Sequence, residues 1–122
     1  MAVTQSRDNR TIIAGADLST SQFIFVKLNA AAAAVVVGAG EAAFGMLEVG
    51  AATGKACTVT KTGKVMVECS AAVTAGADVA SAAGGKAIDA ATGNVILGTA
   101  YEVGVTGQII AIELSDAGNI KA

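Results

Sequence analysis

Short apolar runs, broken every eight to ten residues or so by turn-forming residues, set the rhythm of this chain, and that spacing predicts strands rather than helices. Phe23-Ile24-Phe25-Val26-Lys27-Leu28 is aromatic and β-branched, which predicts a strand that Asn29 closes. Ala30 to Val37 is mixed, because five alanines favour helix and three valines favour strand. Gly38 and Gly40 cut it off, so strand or loop fits better than a turn of helix. Gly45-Met46-Leu47-Glu48-Val49-Gly50-Ala51-Ala52-Thr53-Gly54-Lys55-Ala56-Cys57-Thr58-Val59 then returns 53 positions later as Gly98 to Ile112. Gly45, Thr53 and Gly54 map onto Gly98, Thr106 and Gly107, while Glu-Val-Gly slips by one. Each copy reads as strand, small-residue turn, strand, with the turn glycines supplying a left-handed backbone or close approach.

The first copy gives a strand near 43–49, a turn at Gly50 to Gly54 and a hairpin over 55–69. Further turns are expected at Thr74 to Asp78, Ala82 to Lys86 and Ala91 to Asn94. The second copy supplies strands over 95–103 and 108–114, with Ile110, Ile112 and Leu114 on one face as Cys57 and Val59 are in the first. The fold class read from this pattern is all-β, a small barrel or sandwich of short strands. Residues 1–22 are polar and turn-rich and read as an extended N-terminal arm, and 23–122 as a single β domain.

Cys57 and Cys69 admit two readings. A three-residue loop Thr62-Gly63-Lys64 would set them across from each other in a hairpin, which permits a cross-strand disulfide. The simpler reading, which we prefer, is a pair of small buried thiols in a protein made in a reducing cytoplasm.

Composition changes the picture in one respect. Although 53% of the chain is apolar, alanine accounts for 28 of the 122 residues, and aromatics for only 3%. Each buried position therefore removes little area from water at about 25 cal/mol per Å². Self-association, with a trimer favoured, is the expected remedy. The longest apolar run, Ala30 to Val37, is far too short to cross a bilayer, so no membrane partner is expected. The N-terminus lacks the apolar stretch of a secretory signal. A net charge of −2 with no basic stripe argues against nucleic acid.

Candidate chemistry is sparse. With no histidine there is no ordinary base near neutral pH and no imidazole ligand. Glu48 and Glu102 are the carboxylate pair to weigh, and shared strand-end geometry explains them better than catalysis. Gly38-Ala39-Gly40 lacks the rest of a phosphate loop, and two cysteines without histidine do not make a zinc site. We expect no enzyme activity, catalytic residue, metal or cofactor. The segment that invites a binding role is the arm, which carries both arginines, Arg7 and Arg10, and the β-prone piece Thr11, Ile12 and Ile13 with no obvious partner inside the domain. Such an arm can add a strand to a partner's sheet edge, and the alternative is an ordinary edge strand.

Taken in order, these segments resemble the small head decoration, or cement, proteins of tailed bacteriophages. The resemblance rests on Ala42-Ala43-Phe44-Gly45-Met46-Leu47-Glu48, Thr53-Gly54-Lys55 to Val59, Ala72 to Val79, Gly84-Gly85-Lys86-Ala87, Gly93 to Glu102 and the strand 108–114. It covers about residues 23–114. It implies a β-barrel or sandwich protein that binds the major capsid protein on the outer surface of the expanded head, commonly as trimers, and reinforces the shell. It carries no catalytic motif. Two other readings remain: another virion structural β-protein, such as a tail or fibre component, and a small ligand-binding β-module, for which three Phe and one Tyr supply little material.

Overall fold

The computed structural model describes residues 5–115 and 119–122, with side chains from Asn9 onward. Nine strands make up the regular structure, and no helix occurs among the described residues. They are β1 (Gln5–Ile13), β2 (Phe25–Leu28), β3 (Ala34–Val36), β4 (Gly45–Val49), β5 (Ala56–Glu68), β6 (Asp78–Ser81), β7 (Ala87–Asp89), β8 (Gly98–Ala100) and β9 (Ile109–Leu114). They form one antiparallel sheet in the order β3-β2-β4-β5-β9-β8-β6-β7, with β1 also on β5, curled into a half-barrel. The all-β class expected from the turn spacing is what the chain adopts.

That order is symmetric about the β5–β9 pair because the whole chain is a duplication. Val26↔Val36, Lys27↔Val35 and Leu28↔Ala34 join β2 to β3, and the same ladder 53 positions on, Val79↔Asp89, Ala80↔Ile88 and Ser81↔Ala87, joins β6 to β7. Phe25↔Met46 and Val26↔Gly45 return as Asp78↔Thr99 and Val79↔Gly98. Met46↔Thr60 and Leu47↔Val59 return as Thr99↔Glu113 and Ala100↔Ile112. Even the N-terminal strand has a counterpart: the β1–β5 ladder from Asn9↔Thr60 to Ile13↔Ala56 matches the β5–β9 ladder from Lys64↔Glu113 to Glu68↔Ile109. One unit therefore runs from β1 to the first half of β5, and the other from the second half of β5 to β9.

Each unit has its own core. The first gathers Ala14, Leu18, Ile24, Val26, Ala34, Leu47, Cys57 and Val59. The second gathers Val65, Val67, Cys69, Val73, Val79, Leu97, Ile110 and Ile112, and also takes Phe25, Val37 and Met46 from the first unit. Adjacent residues of a strand point to opposite faces, so β2 sends Phe25 one way and Val26 the other, and β4 does the same with Met46 and Leu47. In the second unit Phe25, Val37 and Met46 are replaced by Asp78, Ala90 and Thr99, none of them fully buried. The duplication ends there, and smaller residues, two of them polar, close it.

The structure corrects the expected hairpin at 55–69. Ala56–Glu68 is instead one continuous strand, and Thr62-Gly63-Lys64 is a bend inside it. Asn9 pairs with Thr60 and Asp8 with Thr62, so Lys61 is an extra residue in the ladder, and Gly63 follows with φ of 115°. A bulge of this kind shifts the alternation of faces by one. Cys57 and Val59 consequently enter the first core, and Val65, Val67 and Cys69 the second. Cys57 and Cys69 lie toward opposite ends of the long strand, and both are free thiols, which excludes the cross-strand disulfide.

The expected turns are present at Thr74 to Ala77, Ala82 to Gly85 and Ala91 to Asn94, each closed by a backbone hydrogen bond. The repeat glycines recur in kind: Gly54 and Gly107 have φ of 82° and 83°, and Gly45 and Gly98 each start a strand hard against a partner's carbonyl oxygen. The Glu-Val-Gly slip does not survive. Leu18 donates to Ala51 O and Val73 to Gly104 O, so the acceptors keep the 53-residue offset, which sets Glu48 opposite Tyr101 in the duplication rather than opposite Glu102.

Two glycines test this reading. A Cβ at Gly50 would lie 1.8 Å from the backbone oxygen of Leu18, whereas at Gly54 it meets open space and only the left-handed backbone resists it. Gly50→Ala is expected to cost about 3 kcal/mol or more and Gly54→Ala about 1–2 kcal/mol, read from urea unfolding. Equal costs would contradict the packing described.

Candidate functional site

The five residues singled out in the N-terminal segment all fall on β1, and the structure gives that strand a partner inside the domain. Arg10 stands opposite Val59, Thr11 opposite Thr58, Ile12 opposite Cys57 and Ile13 opposite Ala56. Ile12 is half-buried against the first core, while Arg10, Thr11 and Ile13 are exposed, Ile13 by 50%. Arg10 donates to the Asn9 carbonyl at 3.2 Å, and Asn9 accepts from the Thr60 hydroxyl at 2.9 Å. Arg7 lies in the bulged part of β1, and its side chain is outside the described residues. The expectation that 11–13 lacks a partner is thus corrected: β5 is long enough to carry β1 on one edge and β4 with β9 on the other. Ala14 and Leu18 are buried too, so residues 9–22 pack on the body that the sequence places at 23–122. Among the described residues β5 is the only strand paired with β1, whose outer edge stays open only as far as the parallel bridge of Ala14 to Ala34 in β3.

A second surface lies around the turn between β8 and β9. Tyr101, Val103, Val105 and Ile109 are exposed by 53%, 63%, 59% and 41%. Tyr101 donates its hydroxyl to Glu113 at 2.6 Å, and the Lys64 ammonium sits 4.8 Å from the ring centre. The bond to the Glu113 carboxylate favours the protonated phenol and raises its pKa.

The two carboxylates weighed from sequence are engaged separately. Glu48 is the extra residue between Leu47↔Val59 and Val49↔Thr58, with one carboxylate oxygen buried and without a partner among the described residues. Glu102 accepts from the Ala111 N–H at 3.1 Å. Burial pushes both thiols above their ordinary value, and for Cys69 the nearby Glu102, Glu68 and Asp89 charges add to it.

Sequence reasoning missed a cleft of about 460 Å³ where the two units meet. Ser21, Gln22 and Phe23 come from the first unit, Glu68, Lys86 and Ile109 from the second. Lys86 and Glu68 form an ion pair at 2.8 Å. Phe23 has φ of 59°, a conformation costing an L-residue about 1–2 kcal/mol. Its N–H donates to Leu47 O at 2.8 Å and its carbonyl accepts from Glu68 N–H at 2.9 Å. The available signal was the 53-residue offset, which pairs Phe23 with Gly76, itself at φ of 79°.

No protein-family model matches the sequence, and no curated protein matches it. Among solved structures the fold is similar to the N base of head fibre gp8.5 of bacteriophage phi29, with a TM-score of 0.72 and 12% identity over 91% of this chain and 96% of that one.

The buried thiols make a pH prediction. Both are raised from an ordinary value of 9.0, so the folded state favours the neutral thiol. Their contribution to stability is complete below that value and is lost as pH climbs through the raised values. Urea midpoints compared between the native chain and Cys57→Ala/Cys69→Ala should therefore fall more steeply above about pH 9 for the native chain. In the native protein at neutral pH, a thiol reagent should label neither cysteine until denaturant is added.

Proposed function

We propose that this chain is a non-enzymatic structural protein of a phage head, bound to the major capsid protein on the outer surface of the expanded shell, which it reinforces. The fold likeness to the N base of a phage head fibre, spanning nearly all of both chains, is the observation that carries this reading. The sequence resemblance to head decoration proteins supports it independently. The open edge of β1, with Arg10, Thr11 and Ile13 exposed along it, suits strand addition to a capsid element, where main-chain hydrogen bonds give affinity and the side chains give register. The chain is made in the host cytoplasm and ends on the virion, and it acts without cofactor, nucleic acid or membrane.

Self-association as a trimer belongs to the same proposal. The two cores are small, with Phe25 the one aromatic side chain fully buried among the described residues, and the apolar turn of Tyr101, Val103 and Val105 is the surface we assign to the contact between copies. A second reading is favoured by the same structural neighbour: the chain is the base of a fibre, not a cement in its own right.

Purified protein mixed with expanded, undecorated capsids of the phage that encodes it should add density to their outer surface and raise the temperature at which they disrupt. Absence of binding would overturn the proposal. Added density without a thermal shift, continued by a projecting chain in native virions, would favour the fibre base. Arg10→Glu/Ile13→Lys, at two exposed positions of β1, should weaken capsid binding by about tenfold, near 1.4 kcal/mol, with the fold intact by circular dichroism. Val103→Asp/Val105→Asp should shift the sedimentation equilibrium from trimer to monomer.

A further inference from the structure

We propose that the cleft between the two units is a binding site for a neutral, hydroxyl-bearing ring ligand, a short saccharide. Its size, about 460 Å³, lies within the usual range of small-molecule sites. The duplication supplies an internal comparison for Phe23, Glu68, Lys86 and Ile109. Where the first unit has Phe23 the second has Gly76, and both make the same bond, from their N–H to the carbonyl of Leu47 or of Ala100. The fold demands a left-handed backbone there, which glycine adopts freely. An aromatic residue is retained at that position only in the cleft.

The opposite wall diverges in the same way. Glu68 pairs with Ile109 where the first unit pairs Ile13 with Ala56, and Lys86 accepts the turn hydrogen bond that Ala33 accepts in the first unit. A carboxylate, an ammonium, an aliphatic and an aromatic side chain thus replace Ile13, Ala33, Ala56 and Gly76 at this one junction.

The charges decide the ligand class. Lys86 Nζ and Glu68 Oε2 are 2.8 Å apart and neutralise each other, so the site has no surplus charge to hold an anion or a cation. Their side chains remain 42% and 30% exposed, leaving N–H donors and carboxylate lone pairs open to a ligand. A vicinal diol uses both, donating to the carboxylate and accepting from the ammonium. Phe23 and Ile109 offer an apolar wall to the C–H face of a sugar ring, and Ser21 and Gln22 border it with polar groups.

The test is a titration of ¹⁵N-labelled protein with maltose, cellobiose and N,N′-diacetylchitobiose, with citrate and spermidine as charged controls. Saturable shifts confined to the amides of 20–24, 68, 84–86 and 109 are expected for at least one saccharide, with a Kd of order 1 mM. Phe23→Gly, which removes the ring and suits the backbone, should weaken that binding about tenfold or more. Phe23→Asn, which also accepts a positive φ, is the second variant should the first unfold. The proposal is overturned if none of the three saccharides moves these amides, if binding is unchanged in the Phe23 variants, or if citrate or spermidine moves them more strongly. Because the cleft is separate from β1, neither capsid binding nor its loss bears on this result.

Discussion

The fold depends on one strand belonging to two units at once. β5 closes the first unit with its N-terminal half and opens the second with its C-terminal half. A strand that kept strict alternation would send Cys57, Val59, Val65 and Val67 to a single face. Lys61, inserted as an extra residue, and Gly63, with φ of 115°, turn the alternation over, so the same strand lines two cores. Lys61 is held in that position by donating to Phe44 O at 2.8 Å, with its ammonium 4.0 Å from the Phe44 ring.

Sharing a strand also explains how so alanine-rich a chain holds together. Neither unit has many large side chains, and the first compensates by sending Phe25, Val37 and Met46 into the second unit's core. Small residues have a complementary use, since Gly45, Gly50 and Gly98 sit where a Cβ would strike a neighbouring carbonyl oxygen. Alanine and glycine therefore bring backbones close, while Phe25 and Met46, two of the largest buried side chains, cross from the first unit into the second unit's core.

That junction is where the duplicated halves differ most in chemistry. Phe23, Glu68, Lys86 and Ile109 gather there, although their counterparts are glycine, alanine and isoleucine. The open edge of β1 follows from the same architecture, because β5 in the second unit has β1 beside it while β1 itself begins the array. A partly open strand edge and an inter-unit cleft thus arise on different parts of one fold.

By itself the sequence determined what depends on near neighbours. The turn spacing and β-branched runs gave an all-β chain, the strands at Phe25–Leu28, Gly45–Val49 and Ile109–Leu114 fell within or on the expected segments, and Ile110, Ile112 and Leu114 are buried as their alternation implied. Gly54 and Gly107 disclosed a repeated turn because only a residue without Cβ takes φ near 80° freely. Other matters needed the tertiary structure. Only seven residues of 23–60 recur 53 positions later, Val26, Ala30, Ala34, Gly40, Gly45, Thr53 and Gly54, so most of the duplication lies in backbone ladders that many small side chains satisfy equally. The bend at Thr62-Gly63-Lys64 has the composition of a hairpin loop, and whether it reverses the chain or bulges it is decided by which strands lie on either side. β1 found its partner and the cleft found its walls for the same reason: each joins residues far apart in sequence, and short-range patterns carry no information about which distant edge or surface will meet.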